Sequence, residues 1–393
     1  MTYASNAYDY YDADSHIMEL PNFLTAFADP KIKDQIPEVS YSASVVTDDE
    51  VALIMKQGGQ HTAEHKQFAI DQGDEILRTG PKEIQGLGAF NGDDRKVALD
   101  MLGFKRQLVF ATHSLVKSFH PSENLPSDVR YGATRAHNRA MADFCSKDDR
   151  LMGVGAVPLA DPERATEELE FALKLGLKAI WLPHQALGGM APGHVDFHPF
   201  WALLEESGTP FVLHVGGAPL QVNKAWSNTG AAKSKDWLGG GENLRSLDIT
   251  ILHQAPELFL SSLIIHGVLE RFPKLKGAAV ELGAGWVPEF VNRMDWVARI
   301  WGRADKNLAN FKRRPSEQIN EQIAFTPFVH EDVGRLIEHS NPDLYLFSSD
   351  YPHIEGGKDP IGRFEGTLQN QSEAAKKKFY TDNFLRIFPE ARV

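Results

Sequence analysis

At 393 residues, with 42% hydrophobic and 24% charged side chains, the chain has the make-up of a soluble globular protein and the length for one large α/β domain with insertions. A formal charge of −12 argues against nucleic acid or anionic membrane as the main partner and for a small-molecule substrate. The single cysteine, Cys145, excludes an internal disulfide framework and suits a reducing cytoplasm; MTYASNAY is no signal peptide, and no apolar run is long enough to span a bilayer.

The first predicted strand, YDYYDAD, runs into DADSHIME (Asp12 to Glu19). In an extended chain Asp12, Asp14 and His16 share one face, which is either a solvated strand end or half of a metal site. Residues from about 40 to 95 are polar and rich in Gly, Asp and Gln, and read as an insertion after this strand. Within it, HTAEH (His61 to His65) has the spacing of inverted zinc peptidases, but its polar context behind KQGGQ favours a solvated helix. RQLVFAT is the second strand and ends in Thr112 and His113.

From Leu151 the punctuation becomes regular. LMGVGAVP reads as a strand, followed by a helix with Asp161 as N-cap, Pro162 at its first position and Gly176 just past its end. LKAIWLP is the next strand and leads to His184; HPFWALLEESG is a helix; TPFVLHV is the fifth strand and carries His214. A second insertion, from about 216 to 255, follows it. Here LGGGENLRS suggests a hinge rather than a phosphate loop, and Trp226 and Trp237 either wall the substrate or anchor the excursion. PELFLSSLIIHGVLERFP reads as one apolar helix with His266 as a core histidine. KGAAVEL, the sixth strand, ends near Glu281; the helix GWVPEFVNRMDWVARIWG, the strand EQIAFTP, the helix HEDVGRLIEHS and the strand DLYLFSSD complete the series, with Asp350 at the last strand end and His353 just beyond.

Alternating short strands and helices imply parallel strands with right-handed crossovers. About eight strands close a (β/α)8 TIM barrel, a single domain over residues 1–393, with the long insertions covering its active face. A doubly wound sheet is disfavoured because no glycine-rich phosphate turn follows the first strand. In a barrel, chemistry lies at the C-terminal ends of strands, where Asp14, His16, Thr112, His113, His184, His214, Glu281 and Asp350 stand. Asp14, His16, His214 and Asp350 can offer two imidazole nitrogens and two carboxylate oxygens to one divalent cation, zinc or manganese, with room for water or substrate.

The order of Asp-x-His on strand one, His in FVLHVGG and Asp in SSDYPH resembles the amidohydrolase superfamily, and within it the amidohydrolase-2 branch that includes aminocarboxymuconate-semialdehyde decarboxylase and related aromatic-acid decarboxylases. GVLERFPKLKGAAVELGAGWVPEFVNRMD, FSSDYPHIEG and FYTDNFLRIFP extend the likeness over nearly the whole chain. The resemblance implies a distorted barrel, one divalent metal on Asp14, His16, His214 and Asp350, and a homodimer or homotetramer. It also carries a departure: where the family's decarboxylases end strand six in a histidine followed by glycines, AVELGAGW presents Glu281.

Two enzyme readings follow, with a third that has no chemistry. In the first, a metal-dependent decarboxylase acts on an aromatic or unsaturated carboxylic acid, with Glu281, His353 or His184 as proton donor and His113, His184, Trp226 and Trp237 facing the substrate. In the second, the enzyme hydrolyses a C–N, C–O or C–C bond or hydrates a double bond, with Asp350 as base and His353 or Glu281 as acid. In the third, the barrel is a non-catalytic binding module, a reading opposed by the retention of all four candidate ligands.

Overall fold

Short apolar segments separated by amphipathic helices build one curled, all-parallel sheet. The computed structural model describes residues 2–39, 41, 47–119, 125–220, 222–232 and 245–392. Its strands are β1 (Tyr11–Asp12), β2 (His16–Ile17), β3 (Arg106–Ala111), β4 (Leu151–Ala156), β5 (Ala179–Trp181), β6 (Phe211–His214), β7 (Gly277–Val280) and β8 (Ile323–Phe325). They run in the order β1-β3-β4-β5-β6-β7-β8, with β2 also paired to β3. Registers such as His16↔Phe110, His214↔Val280 and Ala279↔Phe325 are parallel throughout. The fold is of the TIM-barrel-like α/β kind.

Three expectations are corrected. The first strand is two short pieces, β1 and β2, and the break changes which way side chains face. Tyr11 and Ala13 join the apolar cluster inside the curl, whereas Asp12 turns away toward Gln107. Asp12, Asp14 and His16 therefore do not share a face. DLYLFSSD is no regular strand: its start is a 3-10 turn, Pro342–Leu344, and its end is bent by Asp350, whose φ of 57° cannot continue a ladder. Residues 345–351 nevertheless lie between β8 and the first strand. The amide of Leu346 donates to Phe325, those of Ala13 and His16 donate to Phe347 and Tyr351, and that of Asp350 donates to Asp14. The expected single helix across His266 is broken by Gly267 at φ 74° into Gln254–Ile265 and Val268–Arg271. His266 consequently lies exposed at the break, bonded to Ser262, and is not a core residue.

Other local signals hold. Helix Pro162–Lys174 begins at Asp161, whose side chain accepts from the Arg164 amide, and helix His198–Ser207 ends at Gly208 in the left-handed region. The polar stretch from 40 to 95 carries helices of its own, including Asp48–Lys56 and Ala63–Asp71, and is not an open loop where described. Strand alternation sorts side chains into two cores. Leu108, Phe110, Val154, Trp181, Val212, Val280 and Ala324 fill the interior; Val109, Ile180, Leu213, Ala279 and Phe325 pack outward against the helices. Gly277 is required by this packing, since a Cβ there would stand 2.3 Å from the Phe211 ring. At the lower end Tyr11 stacks on Phe384 of the C-terminal helix Asn383–Ile387.

Asp12 ties the seam. It accepts from the Ser349 amide (2.7 Å) and hydroxyl (2.6 Å) and from Gln107 Nε2 (2.7 Å), joining β1, β3 and the last segment. Burial pushes its carboxyl up to about 7 against those hydrogen bonds. In Asp12→Ala four buried donors, the Asp14 amide (3.3 Å) among them, lose their acceptor, which outweighs the relief of removing a buried acid. Urea denaturation should show a loss of about 3 kcal/mol.

Candidate metal centre

The upper end of the sheet collects its titratable side chains at one point. β2 supplies His16 and the break before it supplies Asp14; β6 ends in His214; Glu281 follows β7; Asp350 and His353 follow the seam segment. All six are buried. His16 Nε2 lies 3.3 Å from Asp14 Oδ1, 3.6 Å from Asp350 Oδ1 and 3.7 Å from Glu281 Oε2. His214 Nε2 lies 3.3 Å from both Asp14 Oδ1 and Glu281 Oε2. His353 Nδ1 is 3.2 Å from Asp350 Oδ1, and its ring stacks on His16 at 4.0 Å. The ligand atoms of Asp14, His16, His214 and Glu281 all fall within 4.8 Å of one another.

The hydrogen-bond pattern tests whether a cation fits. His214 Nδ1 faces the Val215 carbonyl at 3.0 Å, and a carbonyl only accepts, so Nδ1 carries the proton. In a neutral ring Nε2 then presents a lone pair to two carboxylates. His16 Nε2 is buried without a hydrogen bond among the described residues. Three acids and these bare nitrogens repel one another unless positive charge stands between them, and the donor set suits a divalent ion. Burial raises the Asp14 carboxyl, but the His214 and His16 imidazoles, when protonated, outweigh it and hold it down at about 2, a role a bound cation would take over.

Surrounding groups hold the cluster in place. Thr112 Oγ1 donates to the Ile17 carbonyl (2.8 Å) and therefore accepts from His353 Nε2 (3.0 Å), which turns His353 Nδ1 toward Asp350. Burial, reinforced by nearby His16 and His113, holds the His353 imidazole well below its usual range, so the ring is neutral. Glu19 accepts from the amides of His113 and Ser114, fixing the turn after β3. Glu331 accepts from the amides of Ala284, Gly285 and Phe328 and anchors the turn after Glu281. Glu281 (φ 53°) and Asp350 (φ 57°) both occupy left-handed backbone that costs non-glycine residues energy, a kind of strain that gathers at functional sites.

The other expected residues divide. His184 stands beside the cluster: burial pushes its imidazole down to about 3, its Nδ1 has no hydrogen bond among the described residues, and a Cβ on Gly217 would come within 2.7 Å of that atom. His113 is close enough to influence His353 electrostatically, and its ring meets Tyr41 edge-on at 4.8 Å. Trp226 is 79% exposed and is not brought to the cluster, so neither the wall nor the anchor expected of it is seen. Trp237 and residues 238–244 of LGGGENLRS lie outside the described residues. In HTAEH, His61 and His65 bond the carbonyls of Gly86 and Gln85 rather than standing free on a solvated helix, and they form no metal cluster among the described residues.

A family model described as Amidohydrolase matches residues 86–389, most of the chain. The chain belongs to the amidohydrolase family. This amidohydrolase is 26% identical over 266 residues to a gamma-resorcylate decarboxylase of Rhizobium sp., covering 65% of this chain and 75% of that protein. Its fold matches an amidohydrolase of Mycobacterium avium subsp. paratuberculosis with a TM-score of 0.72 at 22% identity, over 98% of this chain and 100% of the other. It also matches a 5-carboxyvanillate decarboxylase of Novosphingobium aromaticivorans, solved with bound manganese, with a TM-score of 0.63 at 17% identity over 99% of each chain.

Sequence reasoning gave Glu19, Lys82 and Glu331 no role. Only Glu19 left a cue, in the same short run as Asp14 and His16. The strain at Glu281 yields a measurable consequence. Glu281→Gly relaxes the backbone and removes an acid pressed against Asp14 and His214, so chelator-treated protein should gain about 1 kcal/mol in chemical denaturation. A loss of stability would count against strain at this position.

Proposed function

We propose that this amidohydrolase is a metal-dependent, non-oxidative decarboxylase of a small aromatic or unsaturated carboxylic acid. The observation that carries the reading is the buried gathering of Asp14, His16, His214, Glu281 and Asp350 at one end of the sheet. The name of the Rhizobium relative supports the reaction class. Asp14, His16, His214 and Asp350 hold one divalent cation, zinc or manganese, and Glu281 adds its carboxylate to the same cluster. Bound there, the ion would draw electron density from the substrate's carboxylate and an adjacent oxygen.

The protein's own groups do the rest. His113 and His184, kept neutral by burial, flank the substrate without competing as cations for its carboxylate. Asp350 and His353 share a proton across their 3.2 Å contact and deliver it to the ring carbon bearing the carboxylate. The C–C bond then breaks, its electron pair restores the conjugated system and CO2 departs, so one proton is consumed for each CO2 released. Thr112 keeps His353 turned to Asp350. Glu281, where related decarboxylases carry a histidine, belongs with the ion rather than with proton delivery.

The wider reading is a distorted (β/α)8 barrel, one domain over residues 1–393, with the stretches at 40–95 and 216–255 inserted over the site. Exposed Trp296, Ile300 and Trp301 on helix Val287–Trp301 favour a homodimer or homotetramer. The lone Cys145 favours a cytoplasmic setting.

Purified protein loaded with manganese should release CO2 from gamma-resorcylate or 5-carboxyvanillate, lose that activity on chelation and regain it with added metal. Thr112→Val should lower kcat roughly 10- to 100-fold by freeing an outer partner of the cluster. Incorporation of 18O from labelled water without CO2 release would replace the lyase with a hydrolase or hydratase.

A further inference from the structure

Lysine normally runs its stem along the surface and keeps its charged head in water. Lys82 does the reverse. The residue as a whole is half-buried, yet its Nζ is sealed from solvent and makes no hydrogen bond or ion pair among the described residues. It stands over the Tyr351 ring, 5.6 Å from its centre, one residue past Asp350. A buried cation with no partner is costly, and a ligand that supplies the missing anion removes the cost.

The surrounding backbone fixes Lys82 in this position. The Glu83 amide donates to the Pro352 carbonyl (2.8 Å), and Glu83 Oε1 accepts from the Ile354 amide (2.9 Å), so residues 82–83 are pinned to the loop that carries His353. Glu83 shares with Glu281 and Asp350 a left-handed φ, here 53°, and these are the non-glycine residues among those described that do. Gly86 allows the close approach, because a Cβ there would meet Pro352 at 2.6 Å.

Neighbouring acids do not quench the charge. Burial, with Glu355 adding to it, pushes the Glu83 carboxyl up to about 8, so it is largely protonated at neutral pH. Burial pulls the Lys82 ammonium down to about 8 while Asp350 holds it up, so most of it stays charged at neutral pH. Asp350 acts on it through space, but among the described residues no acid oxygen comes within the 4.0 Å of an ion pair. The ammonium thus lies within electrostatic reach of Asp350 and over the ring of the residue that follows it, beside the metal cluster.

We propose that Lys82 recognises a second anionic group on the substrate, a carboxylate or ionised phenol separate from the carboxylate that is lost, and so selects doubly acidic ring acids. The inference rests on the decarboxylase reading for the identity of the ligand, and its test separates the two. Calorimetric titration of manganese-loaded wild type, K82M and K82R would use salicylate, gamma-resorcylate and 2-hydroxyisophthalate, with CO2 release followed in the same samples. Wild type should bind at least one doubly acidic ligand tenfold or more tighter than salicylate. K82M should lose that preference with salicylate affinity unchanged, and K82R should retain most of it. K82M should also melt at or above the wild-type temperature, since it removes an uncompensated charge. Equal affinities in K82M and wild type, an equal loss on all ligands, a lowered melting temperature, or no binding by wild type would overturn the proposal. Lys82-dependent binding without CO2 release would overturn the decarboxylase reading alone.

Discussion

Crowding like charges in a space closed to water is the constraint on which this protein turns. Asp14, Glu281 and Asp350 all meet His16, and the first two also meet His214, though no pair of them is adjacent in the sequence. Only a sheet that curls far enough to set the residues after β7 and the seam segment against β2 and β6 can assemble them. The buried Asp12 clasp, with Ser349 on one side and Gln107 on the other, sits just below and holds the first and last parts of that curl together. Folding and site formation are therefore one event: the apolar interior closes the curl, and the curl imposes the electrostatic conflict.

The conflict is managed asymmetrically. Around the acids, burial keeps His113, His184 and His353 neutral, so the positive charge that the acids need is left for an ion rather than for the imidazoles. Two of the acids are held by strained backbone, which the Glu331 and Thr326 hydrogen bonds and the seam ladder support from outside. Stability spent on such geometry is common where function demands a fixed arrangement of charge.

Much of this was legible in the sequence because strands end where alternation ends. The apolar runs around Val109, Val154, Val212 and Ala279 placed the strands, and the polar residues Thr112, His214 and Glu281 that stopped three of them pointed to the site. Helix ends marked by Asp161, Pro162 and Gly176 were equally plain. What escaped was whatever depended on a single backbone angle or on a long-range bond. Asp350 bends the last segment out of strand geometry, Gly267 splits a helix that apolar periodicity would continue, and the break after Asp12 reverses a face that strict alternation predicts. Lys82 was invisible for a different reason: a lysine in a polar stretch looks solvated until the chain is folded, and the direction of its head group is set by residues 270 positions away.

Gly217 shapes what this architecture can become. Its carbonyl receives the His184 amide and its own amide bonds the His214 carbonyl, while its bare α-carbon lies against the His184 ring. A methyl group has nowhere to go on that side, so the wall between His184 and His214 admits no gradual remodelling. New ligand shapes would have to be accommodated elsewhere, through the long chain between β2 and β3, leaving one flank as an unchanging template and the other open to diversification.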